Sequence, residues 1–300
     1  MEYINLGEGV TTIGESAFYG CRRLKSVVIP DNVQRIEGNA FRFCEGLESI
    51  EFGKGLNSIG REAFFSCKSL KSVDIPDNVT KLEHACFRSS GITSVKFGAG
   101  LKEIAQYAFR YCLNLKTLQI PNNINKIDIG AFEECENLNS IYIGSGLRRV
   151  ETNAFEGCSR LQRFECSDLT HYLYVYSKNN LGSNRAKKLF VNGEEVTELV
   201  IPNGIKYVYS WAFVNFTNIT SVTIPESMVE IGSFAFRGCS KLTDVKVNAQ
   251  TPPKTGDTTF PFDFGSNGKV ISKTLYVPAA SKAKYEAAFG WKSFWEINGI

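Results

Sequence analysis

Cysteines at one recurring position are the side chains most able to do chemistry in this chain. Seven of the nine cysteines stand three residues after a phenylalanine: Cys21, Cys44, Cys67, Cys112, Cys135, Cys158 and Cys239. Regular spacing brings thiols of neighbouring repeats within disulfide range, and it raises the question of a metal site. Zinc sites need paired spacings with Cys or His partners, and the chain has only His84 and His171. Because Ser90 and Phe216 fill the same position elsewhere, we expect small, buried, free thiols.

Acidic residues offer a second possible chemistry. Glu51 and Asp74 occupy the same position of successive repeats and could form the carboxylate pair of a glycosidase. Lys96 and Gln119 continue that row, which favours an ordinary solvated face. The chain contains no nucleophile elbow, zinc-protease, P-loop or dinucleotide motif. We therefore expect no catalytic residues, no cofactor and no metal.

These residues belong to a 23-residue repeat. Its marker is an alanine–phenylalanine pair, found at Ala17-Phe18, Ala40-Phe41, Ala63-Phe64, Ala108-Phe109, Ala131-Phe132, Ala154-Phe155, Ala212-Phe213 and Ala235-Phe236, with Cys86-Phe87 as a variant. A fixed period of this length is typical of a solenoid, in which each repeat contacts its neighbours. Each repeat also contains L-x-x-V-x-I, whose final alternation predicts a short strand with one buried face. We expect a repeat solenoid with a stacked parallel sheet, mostly strand and loop.

The full pattern I-P-x-x-V-x-x-I-x-x-x-A-F-x-x-C-x-x-L-x-S-V-x-I resembles the BspA-type leucine-rich repeat of bacterial surface proteins. The resemblance covers residues 1–250 apart from one atypical stretch. It implies a secreted or surface-attached protein, and some members of the family act as adhesins. The family offers no catalytic motif that could be carried over. Because a fold does not fix a function, the ligand stays open.

The spacing predicts four segments. Residues 1–165 form a first block of repeats and residues 199–250 a second block. Between them, residues 166–198 form one long rung, and its Asn192-Gly193 dipeptide between apolar runs predicts a β-hairpin. Residues 251–300 form a small α/β cap.

The cap is predicted to begin where the repeat ends after Val247. We expect a loop over 251–270, a strand over 275–277 and a helix over 279–289. The bulky side chains that follow would seal the last rung: Trp291, Phe294 and Trp295.

The long rung contains a tyrosine-rich segment. In Tyr172-Leu173-Tyr174-Val175-Tyr176 strict alternation predicts a strand with the tyrosines on one face. If Leu173 and Val175 face the core, Tyr172, Tyr174 and Tyr176 form an exposed stripe, and exposed aromatic residues mark binding sites. The alternative is that the loop that follows folds over them.

The outward positions of the repeat strands form a second candidate surface. They are Val28, Glu51, Asp74, Lys96, Gln119, Tyr142, Glu165, Thr223 and Lys246. Within this row we expect a binding hot spot at Tyr142, with Gln119, Asn139, Gln162 and Glu165 beside it.

Composition narrows the class of partner. Thirty-four basic and 31 acidic side chains nearly balance without long runs of one sign, so we expect no nucleic-acid partner. No apolar stretch approaches the ~20 residues of a membrane-spanning helix, so we expect no direct membrane insertion. The repeats start at the first residues without a polar cap, and we expect a leader or an earlier segment in the native protein. An uncapped end could also stack on another copy, giving a monomer or a weak end-to-end dimer.

Together these observations predict a non-enzymatic cell-surface or secreted scaffold that binds an extracellular protein or glycan. A structural spacer that displays another domain is the main alternative. A hydrolase using the long central rung is the more remote one.

Overall fold

The computed structural model describes residues 2–175, 186–256, 258–260 and 273–300. Within these ranges the chain divides into two compact units, one ending at Leu161 and the other beginning at Gln162. Each unit is built from repeats, and we describe them separately.

The first unit contains two rows of short strands. They are β1 (Tyr3–Ile4), β2 (Thr12–Ile13), β3 (Ser26–Val28), β4 (Arg35–Ile36), β5 (Ser49–Glu51), β6 (Ser58–Ile59), β7 (Ser72–Asp74), β8 (Lys81–Leu82), β9 (Ser94–Lys96), β10 (Glu103–Ile104), β11 (Thr117–Ile120), β12 (Lys126–Ile127), β13 (Ser140–Ile143) and β14 (Arg149–Val150). Odd-numbered strands pair in parallel in one row, in the groups β1-β3-β5, β7-β9 and β11-β13. Even-numbered strands pair in parallel in a second row, in the groups β2-β4-β6-β8 and β10-β12-β14. The predicted parallel stacking is confirmed.

The alanine–phenylalanine turns form a third row of backbone hydrogen bonds between repeats. The amide of Phe41 donates to the carbonyl of Ala63 at 2.8 Å, and the same bond recurs along the unit. The turn is flanked by left-handed residues, which at this repeat are Asn39 (φ 58°) and Phe43 (φ 61°). Its phenylalanine points inward and stacks on the next, with 5.2 Å between the ring centroids of Phe41 and Phe64. Each repeat is therefore joined to its neighbours at three corners and through a continuous column of rings.

The repeat cysteines lie beside this column. The thiol of Cys67 donates to the carbonyl of Phe41, 3.2 Å away and one repeat earlier, and that of Cys135 donates to Phe109 in the same way. All nine cysteines are free thiols, and all but the half-buried Cys21 are buried. The predicted small buried position is confirmed.

The turn that follows each odd-numbered strand alternates between two sequences. Pro30-Asp31 begins one turn, and Gly53 occupies the proline position one repeat later. A Cβ atom on Gly53 would lie 2.7 Å from the backbone nitrogen of Asp31 and closer still to the Pro30 carbonyl. The Asp31 carboxylate meanwhile accepts a 2.8 Å hydrogen bond from the amide of Lys54. Glycine is required here because the proline turn of the preceding repeat approaches this backbone closely.

The second unit begins with the atypical rung. Its elements are β15 (Arg163–Cys166), α1 (Leu169–Val175), β16 (Lys188–Val191), β17 (Glu194–Glu195), β18 (Glu198–Val200), β19 (Tyr207–Val208), β20 (Ser221–Ile224), β21 (Glu230–Ile231), β22 (Asp244–Val247), β23 (Lys254–Thr255), β24 (Thr274–Val277), a 3-10 helix (Ala279–Ser281), α2 (Lys282–Ala287) and β25 (Glu296–Gly299). One parallel sheet runs in the order β18-β20-β22-β24-β25, and a second in the order β19-β21-β23.

The strand predicted for the tyrosine-rich segment is wrong, because Leu169–Val175 is a helix. The amides of Thr170 and His171 donate to the carboxylate of Asp168, at 3.0 and 3.1 Å, which is an N-cap. The segment with alternating tyrosines is therefore helical, and Asp168 caps the first turn of this helix. The hairpin is confirmed: β16 and β17 pair antiparallel around Asn192 and Gly193, whose φ angles of 50° and 84° are those of a type I′ turn.

The prediction that the repeat ends after Val247 is also wrong. Strand β23 extends the sheet β19-β21-β23 of the second unit by pairing with β21. Within the second unit Phe260 stacks on Phe236, and Phe236 stacks on Phe213, with 5.4 and 5.3 Å between the ring centroids. One further repeat therefore lies inside the segment predicted to be a loop, of which residues 257 and 261–270 lie outside the described residues.

The C-terminal cap has the predicted strand and helix, as β24 and α2. Trp291 is buried, and its indole nitrogen donates to the carbonyl of Pro253 at 2.8 Å. Phe294 is buried against Phe260, while Trp295 remains 51% exposed. Strand β25, which pairs in parallel with β24, was not expected from the sequence.

Candidate functional site

The predicted hot spot has its first three residues in the first unit. Gln119 on β11 and Tyr142 on β13 are cross-strand partners in the parallel row. Gln119 is exposed and Tyr142 is half-buried. The side-chain amide of Asn139 donates to the carbonyl of Arg160 at 3.3 Å. The structure thus brings Gln119 and Tyr142 together on an outward face.

Gln162 and Glu165 lie in the second unit. Gln162 is exposed, and Glu165 on β15 accepts a 2.8 Å salt bridge from Arg163 two residues earlier. The Arg163 guanidinium also lies over the Phe190 ring, 3.4 Å from its centroid. Glu165 is therefore already ion-paired with an arginine of its own strand.

Tyr172 is not the exposed side chain that strand alternation predicts. It is buried under α1, and its hydroxyl donates to the carbonyl of Ala212. Its ring packs on Phe164 and Phe213, and burial raises the pKa of the phenol well above its usual value. The helix turns Tyr172 inward because it joins Leu173 and Val175 on the buried face. Tyr172 thus supports the atypical rung from inside, and Tyr176 lies outside the described residues.

Of the two stripe tyrosines that the structure describes, Tyr174 faces solvent, with 68% of its surface exposed. It lines a concave site of about 300 Å³ together with Leu173, Gly204, Ile205, Lys206, Tyr207 and Tyr209. Tyr207 and Tyr209 are 50% and 38% exposed. We call this site the tyrosine pocket; α1 supplies one wall, and β19 with the turn before it supplies the other.

Tyr207 and Tyr209 were missed by the sequence reasoning, although the repeat contains a signal for them. The position of Tyr207 is held by polar side chains in the other repeats: Thr12, Arg35, Ser58, Lys81, Glu103, Lys126, Arg149 and Glu230. The position of Tyr209 is held by glycine, alanine or an acid: Gly14, Glu37, Gly60, Glu83, Ala105, Asp128, Glu151 and Gly232. Two tyrosines in these positions of one repeat are a departure that the solenoid itself does not need.

The tyrosine pocket has the chemistry of a recognition site. Tyrosine rings offer large, rigid apolar faces at low entropic cost, and their hydroxyls offer hydrogen bonds. Lys206 adds a cation at the rim, exposed to solvent. These groups can stack on a sugar ring or hold an apolar side chain of a peptide, and they include no nucleophile–base pair.

The thiols do not form a reactive centre. Burial raises the pKa of Cys112 and of Cys158 to about 12, so both stay protonated at neutral pH. Within the described ranges, no three His, Cys, Asp or Glu side chains lie close enough together to hold a metal ion. In the same part of the chain, no helix has the length and apolar character needed to cross a membrane.

Comparison with known proteins identifies the repeat. A family model described as "BspA type Leucine rich repeat region" matches residues 1–116, 102–182 and 183–263, in six copies. No curated protein matches the chain. A leucine-rich repeat protein from Bacteroides ovatus has a similar structure, with a TM-score of 0.58 and 21% identity over 99% of this chain and 80% of that one.

Two further solved structures have lower TM-scores. A leucine rich cell surface protein from Faecalibacterium prausnitzii has a TM-score of 0.35 and 24% identity over 79% of this chain and 76% of its own. The T. pallidum leucine rich repeat protein has a TM-score of 0.41 and 23% identity over 73% of this chain and 78% of its own.

Proposed function

The chain belongs to the BspA-type leucine-rich repeat family, and from that premise we propose that it is a non-enzymatic scaffold that binds an extracellular partner through the tyrosine pocket. Members of this family are bacterial surface or secreted proteins, and leucine-rich repeats generally mediate protein interactions. On this proposal the chain lies outside the cell or on its surface, and its partner binds in the tyrosine pocket.

The observation that carries the proposal is the clustering of three solvent-exposed tyrosines around one concavity. Tyr174, Tyr207 and Tyr209 come from two separate elements, and all three keep more than a third of their surface exposed. Exposed aromatic side chains are costly in water and are enriched at binding hot spots. A spacer that only displays another domain has no use for them.

The partner is an extracellular protein or a glycan, because both fit a pocket of tyrosine rings with one lysine at the rim. A glycan would lay the C–H face of a sugar ring on a tyrosine. A protein would insert an apolar side chain and satisfy the hydroxyls with backbone groups. The same variants test both.

The test is a binding screen of the chain against extracellular-matrix proteins and a glycan array at two salt concentrations. A Tyr174→Ser/Tyr207→Ser variant runs beside the wild type. We expect a saturable hit that the double variant weakens by about tenfold or more, the size expected when hot-spot side chains are removed.

The matched control is Tyr3→Ser, which removes a tyrosine that is 70% exposed and lies far from the pocket residues in the sequence. It should leave the hit unchanged. A hit that survives the double variant would place the site elsewhere. Correctly folded protein without any hit would favour the spacer, and turnover in a panel of hydrolase substrates would favour an enzyme.

A further inference from the structure

A ladder of arginines and aromatic rings lines the alanine–phenylalanine turns of the first unit. Arg42 directly follows the repeat phenylalanine, and its guanidinium lies 4.9 and 4.5 Å from the ring centroids of Phe43 and Phe65. Arg110 holds the same position of another repeat, 5.0 and 4.9 Å from the rings of Tyr107 and Tyr111. Stacking on rings holds each planar guanidinium in one orientation and partly out of water.

Each of these two arginines is also paired with a glutamate of the following repeat. Arg42 binds the carboxylate of Glu62, which stands two residues before the next repeat phenylalanine. Arg110 binds Glu133, which directly follows the next repeat phenylalanine, with 3.1 Å between Nε and the carboxylate oxygen. In both cases a guanidinium stacked on rings pairs with a carboxylate of the following repeat. We call this combination the arginine–glutamate pair of the ladder.

Arg88 stacks on rings as Arg42 and Arg110 do, but it has no paired glutamate. It directly follows Phe87, and its guanidinium lies 5.7 Å from the ring centroids of both Phe65 and Tyr111. The next repeat places Tyr107 and Arg110 at the positions that supply the glutamates elsewhere. Within the described residues the Arg88 side chain has no ion pair, and this is what sets it apart, because the Nε atoms of Arg42, Arg88 and Arg110 are all buried without a hydrogen bond.

We propose that Arg88 is a docking site for a carboxylate of an acidic segment of a partner protein, which completes the ladder where the chain supplies no glutamate. The inference concerns a surface of the first unit and is independent of the tyrosine pocket. Its chemistry follows from the chain itself, because a glutamate fills this place beside Arg42 and Arg110. A planar guanidinium fixed between two rings is arranged for a bidentate carboxylate.

The charge around Arg88 supports this assignment. His84 lies in the same repeat with its ring edge-on to Tyr107. Burial, Arg61 and Arg88 lower the pKa of His84. Arg61 has a carboxylate neighbour in Glu62, at 3.5 Å, whereas Arg88 has none among the described residues. The positive charge at Arg88 is thus felt by its neighbours, and a carboxylate there would meet an attractive field.

The test uses the full chain and an N-acetylated hexaglutamate peptide as the probe, with hexaglutamine as the uncharged control. Isothermal titration calorimetry should show saturable binding of hexaglutamate and no binding of hexaglutamine. We expect Arg88→Gln to weaken it by about tenfold, the size expected for loss of one charge-assisted pair. Arg148→Gln, which removes an exposed arginine of the same unit, should change it less than twofold.

Two exchanges of ladder residues make the test sharper. Tyr107→Glu supplies the glutamate that Glu62 supplies two repeats earlier, so it should close the site while Arg88 remains. Glu62→Gln frees Arg42, so it should add a second binding equivalent. Glu8→Gln makes the same change in net charge at an exposed site and should add none.

Thermal unfolding of every variant verifies the fold, and Glu62→Gln decides the question if Tyr107→Glu does not fold. Three results would overturn the proposal. They are no saturable binding of hexaglutamate, equal binding by Arg88→Gln, and binding of a sulfated disaccharide in place of the peptide.

Discussion

The thiol of each buried repeat cysteine is fixed by its packing and by a hydrogen bond to a carbonyl one repeat earlier. The Cys158 thiol, for example, lies 3.4 Å from the carbonyl of Phe132. Ser90 fills the same position with a hydroxyl that donates to the carbonyl of Phe87. Where this position holds cysteine or serine, the side chain is small and donates to a backbone carbonyl, whereas Phe216 fills the position with a buried ring.

Burial of these thiols makes the protein sensitive to alkaline pH. The pKa of Cys112 and Cys158 is about 12 in the folded chain, and a thiol of an unfolded chain has a pKa of about 8.5. Stability is therefore full below about pH 8.5 and falls as the pH rises towards 12, by about 1.4 kcal/mol per pH unit for each such thiol. Urea unfolding at a series of pH values measures the slope.

Cys158→Ser is the control for that slope, because serine already occupies the position at Ser90. The variant should lose one thiol's share of the pH dependence. A slope unchanged from the wild type would contradict the assignment. Titration of all nine thiols in denaturant checks that none is in a disulfide.

At the scale of elements, the turns after the odd-numbered strands of the first unit alternate between a proline turn and a glycine turn. The acid of a proline turn bonds to an amide of the glycine turn stacked on it, as Asp31 does with Lys54 and Asp77 does with Ala99. The glycine of that turn leaves room for the proline backbone. Two consecutive repeats are thus the structural unit of this corner.

Gly53→Ala tests this pairing. The added methyl would press on the backbone of Pro30 and Asp31, so we expect a loss of about 1–3 kcal/mol in the free energy of unfolding, the usual cost of overpacking. Gly9→Ala is the matched control, because nothing lies within 4 Å of a Cβ at that glycine. Chemical denaturation compares the two, and equal effects would contradict the close approach.

The strands could be predicted from the sequence because L-x-x-V-x-I states both a period of two and a buried face. Helix α1 could not be predicted with the same rule, since alternation in Tyr172–Tyr176 imitates a strand. The segment forms a helix because Asp168 caps its first turn and because Tyr172, Leu173 and Val175 are buried on one helical face. Local capping and tertiary burial therefore outweighed the alternating pattern.

At the scale of the whole molecule, the repeat pattern was enough to predict the solenoid and its family. The extra repeat ending at Phe260 was missed because Thr259 replaces the usual alanine and the spacing lengthens by one residue from Phe236. The tyrosine pocket was predicted only through Tyr174. Its other wall comes from Tyr207 and Tyr209, which lie 33 and 35 residues further along the chain, and their approach depends on α1 being a helix.

Binding of the partner at the tyrosine pocket can be measured by a footprint of tyrosine nitration with and without the captured partner. The account predicts that the partner protects Tyr174, Tyr207 and Tyr209 from nitration and leaves the exposed Tyr3 and Tyr19 reactive. Equal reactivity of the three pocket tyrosines in the free and bound chain would contradict the account, since the partner would then bind elsewhere.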